Sequence, residues 1–515
     1  MKPSFWWVAA AVLLVFGPLV RTPWLWDDKT LLRDSPVLAD RAQWASALTR
    51  DFWRLSVNPR DAGMYRPLVT ASYFADRLLF DRSPVGPHAV NLVLHLLCAW
   101  LVWLLARQRG AAPPEATLAS ALFALHPACV EAVANVASRG DLLATALLLS
   151  ALLLLRRSLL AAALLSLAAQ LSKESAFVAL PLALLLEARA PLDLRRLTRV
   201  SLALGGATAL AFTARHLALS SALRLSGDGG VITGLTTLGR YAARVVFPAP
   251  LVPYQPDTVA SWAVAGGVLA LGLLSAWLLR ARPESAGGGL AWAFGWLALS
   301  TAPVCNWLPV HARFSGLLLY LPLAGVALGV ARALRDLRVA AVVPVGLAAL
   351  SLSLWPLWRD DEALWRGNVE TFPALPAPLL NYANALAARG AAETPMVYAQ
   401  AVSAAQASGD SKSETLAEYG LGTWLLHAAP IEAEAHFARA QQAAEFAFWQ
   451  AGLNRAVALA LQQRRDDAEA VLETQYQHTP ARPLAEAGVQ LALERGDRES
   501  ERKWRARASL TPPKK

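Results

Sequence analysis

Residues 5–36, FWWVAAAVLLVFGPLVRTPWLWDDKTLLRDSP, set the reading of the whole chain. An apolar run from Phe5 to Val20 stops at Arg21, then tryptophans follow, then two adjacent carboxylates, Asp27 and Asp28. A helix that crosses a bilayer needs roughly 20 apolar residues, and Trp prefers the layer where hydrocarbon meets water. The stretch therefore reads as a membrane helix with an acidic pair at its mouth. Lys2 ahead of the run is signal-like, but no small-residue cleavage site precedes Arg21, so the helix is expected to be retained.

The remaining sequence is of the same kind. Its 515 residues are 55% hydrophobic and 17% charged, with 19 Trp and a mean hydropathy of +0.36, which excludes an ordinary soluble enzyme. The net charge of +10 follows from Lys and Arg retained in cytoplasmic loops and calls for no nucleic-acid partner. Cys98, Cys129 and Cys305 are too few and too scattered for a disulfide framework or a zinc site and read as packing residues.

Hydropathy predicts about eleven spans in residues 1–357, near 5–22, 88–106, 115–127, 140–155, 158–172, 174–189, 198–219, 258–279, 288–304, 314–331 and 340–357. With the N-terminus inside, the even-numbered spans end in basic turns, such as Arg107 and Arg109, Arg156 and Arg157, or Arg280 and Arg282. The opposite face then carries the long loop 23–87, the stretch around HPACVEAVANVASRGD, the turn at 172–174, loop 220–257 and residues 306–314. An odd number of spans also places everything after about 358 on that outer face.

Beyond Trp358 the composition turns to Ala, Glu, Gln and Arg at helical spacing. Ala433, Phe437 and Ala440 have the second-helix spacing of a tetratricopeptide unit, Ala468, Leu472 and Pro480 repeat it, and Gly422 and Ala456 match on the first helices. Residues 358–500 are thus expected to form three to four degenerate units with an insertion at 390–415, followed by a basic tail at 501–515. An unspecific helical bundle is the competing reading. The fold class is all-α, a polytopic membrane bundle followed by an α-solenoid of the kind that binds an extended peptide.

Ionisable groups at membrane depth are costly unless they serve a pathway or a site. Chemistry on a lipid-phosphate sugar requires a carboxylate to deprotonate an acceptor hydroxyl, cations to stabilise the phosphate and a groove for the polyprenyl tail. Asp27 and Asp28 suit the first role, and Arg66, Arg139, Lys173 and Arg313 the second.

The ordered motifs WLWDDKTLLRDSPVL, TRDFW, YRPLVTASYFADRLLF, GPHAVNLVLHLL, ALFALHPACVEAVANVASRGDLLA, LSKESAFVALP and NWLP…YLPLAG run through nearly the whole chain. In this order, with helical repeats behind them, they resemble the transmembrane and tetratricopeptide-repeat O-mannosyltransferases of the GT-C superfamily. The resemblance implies inverting transfer of a hexose, mannose favoured, from a polyprenyl-phosphate sugar to a protein Ser or Thr hydroxyl on the non-cytoplasmic face. It makes the Asp27–Asp28 pair catalytic, with Asp27 favoured as base, and places His126, Glu131, Arg139 and Asp141 along the same outer cavity, to which Lys173 and Glu174 are added. No cofactor is assigned beyond the lipid-linked sugar as donor substrate, and the need for a divalent metal stays open. Relatives carry an acidic-Arg pair just before the LYLP segment, where this chain has Gly316 and Leu317; Arg313 is the expected substitute.

Each assignment has a structural competitor. Asp27–Asp28 would cap a short loop helix, Tyr65-Arg66-Pro67 would anchor at the interface, and Glu131, Arg139 and Asp141 would form a buried ion pair. Lys173 and Glu174 would end one helix and start the next. His88, Asn91 and His95 read as interhelical hydrogen-bonding groups rather than metal ligands. A catalytically silent membrane scaffold for envelope proteins is the alternative function, and a flippase would need an internal symmetry that the sequence lacks. The Ala, Leu and Arg content points to a bacterial source, an inner-membrane location and a periplasmic active face.

Overall fold

The computed structural model describes residues 5–187, 193–219, 229–281, 285–307, 314–334 and 340–510. All regular structure among them is helical, without strands. The chain divides into two compact units, Met1–Asp360 and Asp361–Lys515, three residues from where the composition changes.

In the first unit α1 (Phe5–Phe16) leads into loop 23–66 with its short turns α2 (Pro36–Ala39) and α3 (Trp44–Ala47). Then come α4 (Pro67–Phe80), α5 (Val85–Gln108), α6 (Pro113–Ala124), α7 (Cys129–Ala134), α8 (Arg139–Leu154), α9 (Leu159–Gln170), α10 (Ala179–Glu187) and α11 (Leu194–Ala218). The unit closes with α12 (Val231–Val246), α13 (Trp262–Ala281), α14 (Ala286–Thr301), α15 (Tyr320–Leu334) and α16 (Val342–Ser353). The starts follow local rules. Ser158, Asp193 and Ser285 accept the first free amides of α9, α11 and α14, and proline opens α4 and α6, where no amide partner is needed.

Helices form at all eleven predicted segments, but five stretches are by themselves long and apolar enough to cross a membrane: Val85–Gln108, Val136–Leu154, Leu194–Ala218, Trp262–Ala281 and Gly316–Leu334. The others are short for identifiable reasons. Pro18 lacks an amide hydrogen, so α1 gives way to a tight turn at Gly17–Arg21. The sixth span begins as a 3-10 turn, Glu174–Val178, which leaves α10 only 9 residues. Helix α12, inside the segment expected as loop 220–257, escaped hydropathy because it is too short and polar to span.

Helices α11 and α13 leave Leu202, Leu210, Phe212, Leu269, Leu273 and Trp277 exposed, apolar surface that water does not tolerate and lipid does. At the bundle centre the pairing of α14 with α15 is closest. A Cβ on Gly329 would lie 2.4 Å from the Gly289 carbonyl, and one on Gly325 2.0 Å from the Trp296 ring. Small residues let helix backbones meet where no hydrophobic effect drives them together.

The second unit contains α17 (Asp361–Thr371), α18 (Pro376–Ala388), α19 (Thr394–Ser408), α20 (Ser411–Leu425), α21 (Pro430–Ala443), α22 (Trp449–Leu461), α23 (Arg465–His478), α24 (Arg482–Arg495) and α25 (Arg498–Leu510). Ala433, Phe437, Ala440, Ala468 and Leu472 are buried, as their spacing requires, and Phe437 packs 2.9 Å from where a Gly422 side chain would sit. Gln441 donates to Gln475, 34 residues on, at 2.7 Å, a bond between successive hairpins. Segment 390–415 holds no insertion: α19 and α20 follow each other with Gly409, at φ +68°, as the cap between them. The irregularity lies after α21, where Glu445 and Phe446 both adopt positive φ.

Candidate active site

Loop 23–66 folds onto the bundle as a layer with its own core of Leu31, Leu32, Leu38, Phe52, Leu55, Val69, Tyr73, Phe74 and Val136. Ser35 donates to the Leu55 carbonyl at 2.6 Å, and Asp51 accepts from Trp53 and Met64 amides at 2.8 and 2.9 Å. Trp26 holds φ +46°, a strained conformation for an aromatic residue, immediately before the acidic pair.

The two carboxylates of the pair have different surroundings. Asp28 is fully buried and accepts the Ala137 and Val136 amides at 2.7 and 3.2 Å, with His88 Nε2 4.0 Å away. Burial outweighs those amides and pushes its carboxyl up to about 8. Asp27 is half-buried, and its carboxylate accepts no hydrogen bond from the described residues. Burial raises it to about 6, partly offset by Arg60, whose guanidinium lies 3.9 Å above the Trp53 ring.

The cations lie next to acids. Arg66 donates to Glu174 Oε2 through Nε and Nη2 at 3.0 and 2.8 Å, and Arg215 approaches the other Glu174 oxygen at 3.7 Å. Lys173 donates to Asp141, both buried, and Gly140 makes this possible, since a Cβ there would stand 3.3 Å from the Ser172 carbonyl. Arg139, at 0% exposure, forms an ion pair with Asp76 at 2.5 Å and donates to Asn91 at 2.9 Å and the Pro87 carbonyl at 3.0 Å, above the Tyr73 ring. Its guanidinium is thus held inside the bundle, the buried ion pair that competes with the phosphate role, with Asp76 rather than Asp141 or Glu131 as partner. Arg313 lies outside the described residues.

His126 is buried and accepts the Ala128 amide on Nδ1 at 3.2 Å, so Nε2 carries the proton toward the Val245 carbonyl, 3.3 Å away. It is a turn-forming group in this geometry. Glu131, on α7, is different. It faces a cleft with Pro127, Val130, Leu251, Gly316 and Trp358. Burial and the charges of Asp141 and Asp27 push it up to about 8, against the pull of Lys173. Asp27, Glu131, Asp141 and Lys173 therefore share one electrostatic neighbourhood, and Glu174 and Arg66 join it through Lys173 and Asp141. His88 and His95 do not share a ligand: His95 contacts Tyr320 Oη at 2.8 Å and the Ala124 carbonyl at 3.0 Å, and His88 the Pro84 and Ala134 carbonyls at 2.7 and 3.1 Å.

Sequence reasoning missed Asp76 and Tyr73, although both lie within the stretch YRPLVTASYFADRLLF, and the arginines of α12. The signal in the last case was two Arg four apart in VITGLTTLGRYAARVV, a helical spacing within an assigned loop.

An all-α integral membrane protein with a charged site beneath an ordered first loop is what these features define. Its similarities agree with that class. The chain is 30% identical over 258 residues to the protein O-mannosyl-transferase Tmtc1 of Drosophila melanogaster, covering 48% of this chain and 29% of that one. It is 29% identical over 170 residues to the protein O-mannosyl-transferase F38B6.6 of Caenorhabditis elegans (32% and 25%). The fly protein O-mannosyl-transferase Tmtc3 matches at 30% over 172 residues (29% and 18%). The chain thus spans less than a third of the length of these relatives. No family profile matches it.

Proposed function

We propose that this protein is a membrane glycosyltransferase that moves a hexose, mannose favoured, from a polyprenyl-phosphate sugar to a protein hydroxyl. The observation that carries the reading is the unequal acidic pair. Asp28 anchors the turn to Val136 and Ala137, while Asp27 is presented half-buried and without a hydrogen-bond donor among the described residues. A carboxylate in that state suits a general base. Asp27 takes the proton of the acceptor hydroxyl as its oxygen attacks the anomeric carbon. The bond from that carbon to the phosphate oxygen breaks, its electron pair stays on the phosphate, and polyprenyl phosphate leaves with inversion at the sugar.

The similarity to proteins named O-mannosyl-transferases supports mannose and a protein acceptor. The helix hairpins of the second unit, read as tetratricopeptide-like, would select that acceptor from the same outer face, periplasmic in a bacterial cell. A silent scaffold is favoured by one feature, the open groove along Val369, Leu379, Met396 and Gln400 that would take a partner without chemistry.

The deciding experiment is sugar transfer from radiolabelled polyprenyl-phosphate mannose into membrane proteins, by wild type and by Asp27→Asn at equal abundance. Transfer by the wild type that is lost in the variant is the expected result. No transfer by the wild type, with other lipid-linked hexoses also tried, would leave the scaffold.

A further inference from the structure

Three of the cations assigned to the donor phosphate are already matched by acids: Arg66 with Glu174, Arg139 with Asp76 and Lys173 with Asp141. An anion entering there meets a neutralised site. Two other arginines are not matched. Arg240 and Arg244 stand one helical turn apart on α12, a spacing at which like charges repel. Arg240 donates to Thr258 Oγ1 at 2.7 Å and to the Pro256 carbonyl at 3.1 Å, with its guanidinium 4.0 Å above the Phe314 ring. Arg244 donates to Gln255 Oε1 at 3.3 Å, and its buried Nε has no acceptor among the described residues.

Neither arginine forms an ion pair among the described residues. The groups that act on Arg240 are Asp257 and Tyr241, and on Arg244 it is Arg240 itself. Burial, and for Arg244 the neighbouring charge, lower both guanidiniums from their ordinary values. A helix that needed only to be tied to its following loop would do so with neutral amides. Two half-buried, mutually repelling guanidiniums with a donor left over are stable when an anion bridges them.

The pair also lies next to the candidate active site. Gln255, held by Arg244, donates in turn to the Pro250 and Val252 carbonyls at 3.5 and 3.4 Å. Val252 and Leu251 line the cleft into which Glu131 faces, and the Val245 carbonyl, one residue from Arg244, takes the His126 bond. Gly316 is in that cleft, and a Cβ on it would lie 2.9 Å from the Leu251 side chain.

We propose that Arg240 and Arg244 form a phosphate clamp that holds the phosphate of a polyprenyl phosphate at the edge of the Glu131 cleft. The role of that phosphate as leaving group rests on the glycosyltransfer reading; its binding does not.

The test uses the full chain in nanodiscs of neutral phosphatidylcholine, with polyprenyl monophosphate, neutral polyprenol and inorganic phosphate as probes. The wild type is expected to bind polyprenyl monophosphate, and Arg244→Gln to weaken that binding at least about tenfold, as loss of a charge-assisted bond does. Arg240→Gln with Arg244→Gln should weaken it further, whereas Arg244→Lys keeps part of the affinity because the charge remains and the fork is lost. Competition by inorganic phosphate but not by polyprenol supports a clamp. Competition by polyprenol alone overturns it, as does undiminished binding by the double variant. If the Gln variants do not fold, the Lys variant at each position carries the comparison. Arg-dependent binding without transfer by the wild type removes the enzyme and keeps the clamp, and Asp27-dependent transfer that the double variant retains does the reverse.

Discussion

Asp27 and Asp28 are identical neighbours that the fold treats in opposite ways. Asp28 is tied to two amides across 108 and 109 residues of sequence; Asp28→Ala leaves the buried Val136 N–H unpaired, while that of Ala137 keeps Asn135 Oδ1 at 3.1 Å, and is expected to cost about 1–3 kcal/mol. A lowered unfolding temperature in detergent checks it. Asp27→Asn disturbs no such bond; its unfolding temperature should stay near that of the wild type while transfer falls by about a hundredfold or more. The base acts as a carboxylate, and its value lies at about 6, so kcat/KM should fall about tenfold per pH unit below about 6 and level off above. A rate profile that is flat from pH 5 to 8 would exclude Asp27 as the base. Stability has the opposite dependence. Asp28 and Glu131 keep protons in the folded state up to about 8 that an unfolded chain gives up near 4, so the unfolding temperature should decline as pH rises through that interval. Asp28→Asn combined with Glu131→Gln should flatten that decline.

Among elements, the decisive contacts are those between helices distant in sequence. Arg139, at the start of α8, joins α4 through Asp76 and α5 through Asn91 and Pro87. Arg139→Leu strands a buried carboxylate and is expected to destabilise by about 3–5 kcal/mol, and Arg139→Leu with Asp76→Leu to recover most of it. Thermal unfolding of the two variants side by side makes the comparison. The α14–α15 contact is equally specific: Gly329→Leu has no room against the Gly289 carbonyl and should reduce folded yield, while the same change at Gly346 on α16, with open space around it, should not.

Over the whole molecule, the second unit has its own buried cores, around Leu386, Tyr398 and Leu421 and around Leu472, Leu484 and Trp504. Residues 361–510 expressed alone should therefore give a helical circular dichroism spectrum and one cooperative unfolding transition. Placement of both units on the outer face is checked by labelling Cys introduced at the exposed Asn58 and Gln442 with an impermeant reagent, since the native Cys98, Cys129 and Cys305 are all buried. Labelling at one site and protection at the other would separate the second unit from the site it is proposed to serve.

What the sequence determined by itself was whatever depends on local pattern. Apolar runs, Pro and Gly breaks, Ser and Asp caps and the change of composition near Trp358 place the helices and the boundary between units, because helix formation responds to neighbours a few residues away. The acidic pair and the position of His126, Glu131, Lys173 and Glu174 between apolar helices were legible for the same reason, as polar groups interrupting apolar runs. Which side chains face one another was set by the packing of helices distant in sequence. That Arg139 answers Asp76, that Lys173 answers Asp141, that Asp28 is anchored while Asp27 is not, and that Arg240 and Arg244 form no ion pair among the described residues all depend on contacts across tens to hundreds of residues. Such contacts leave no periodicity in the chain, because a charge is neutralised by distance in space and not by position in sequence.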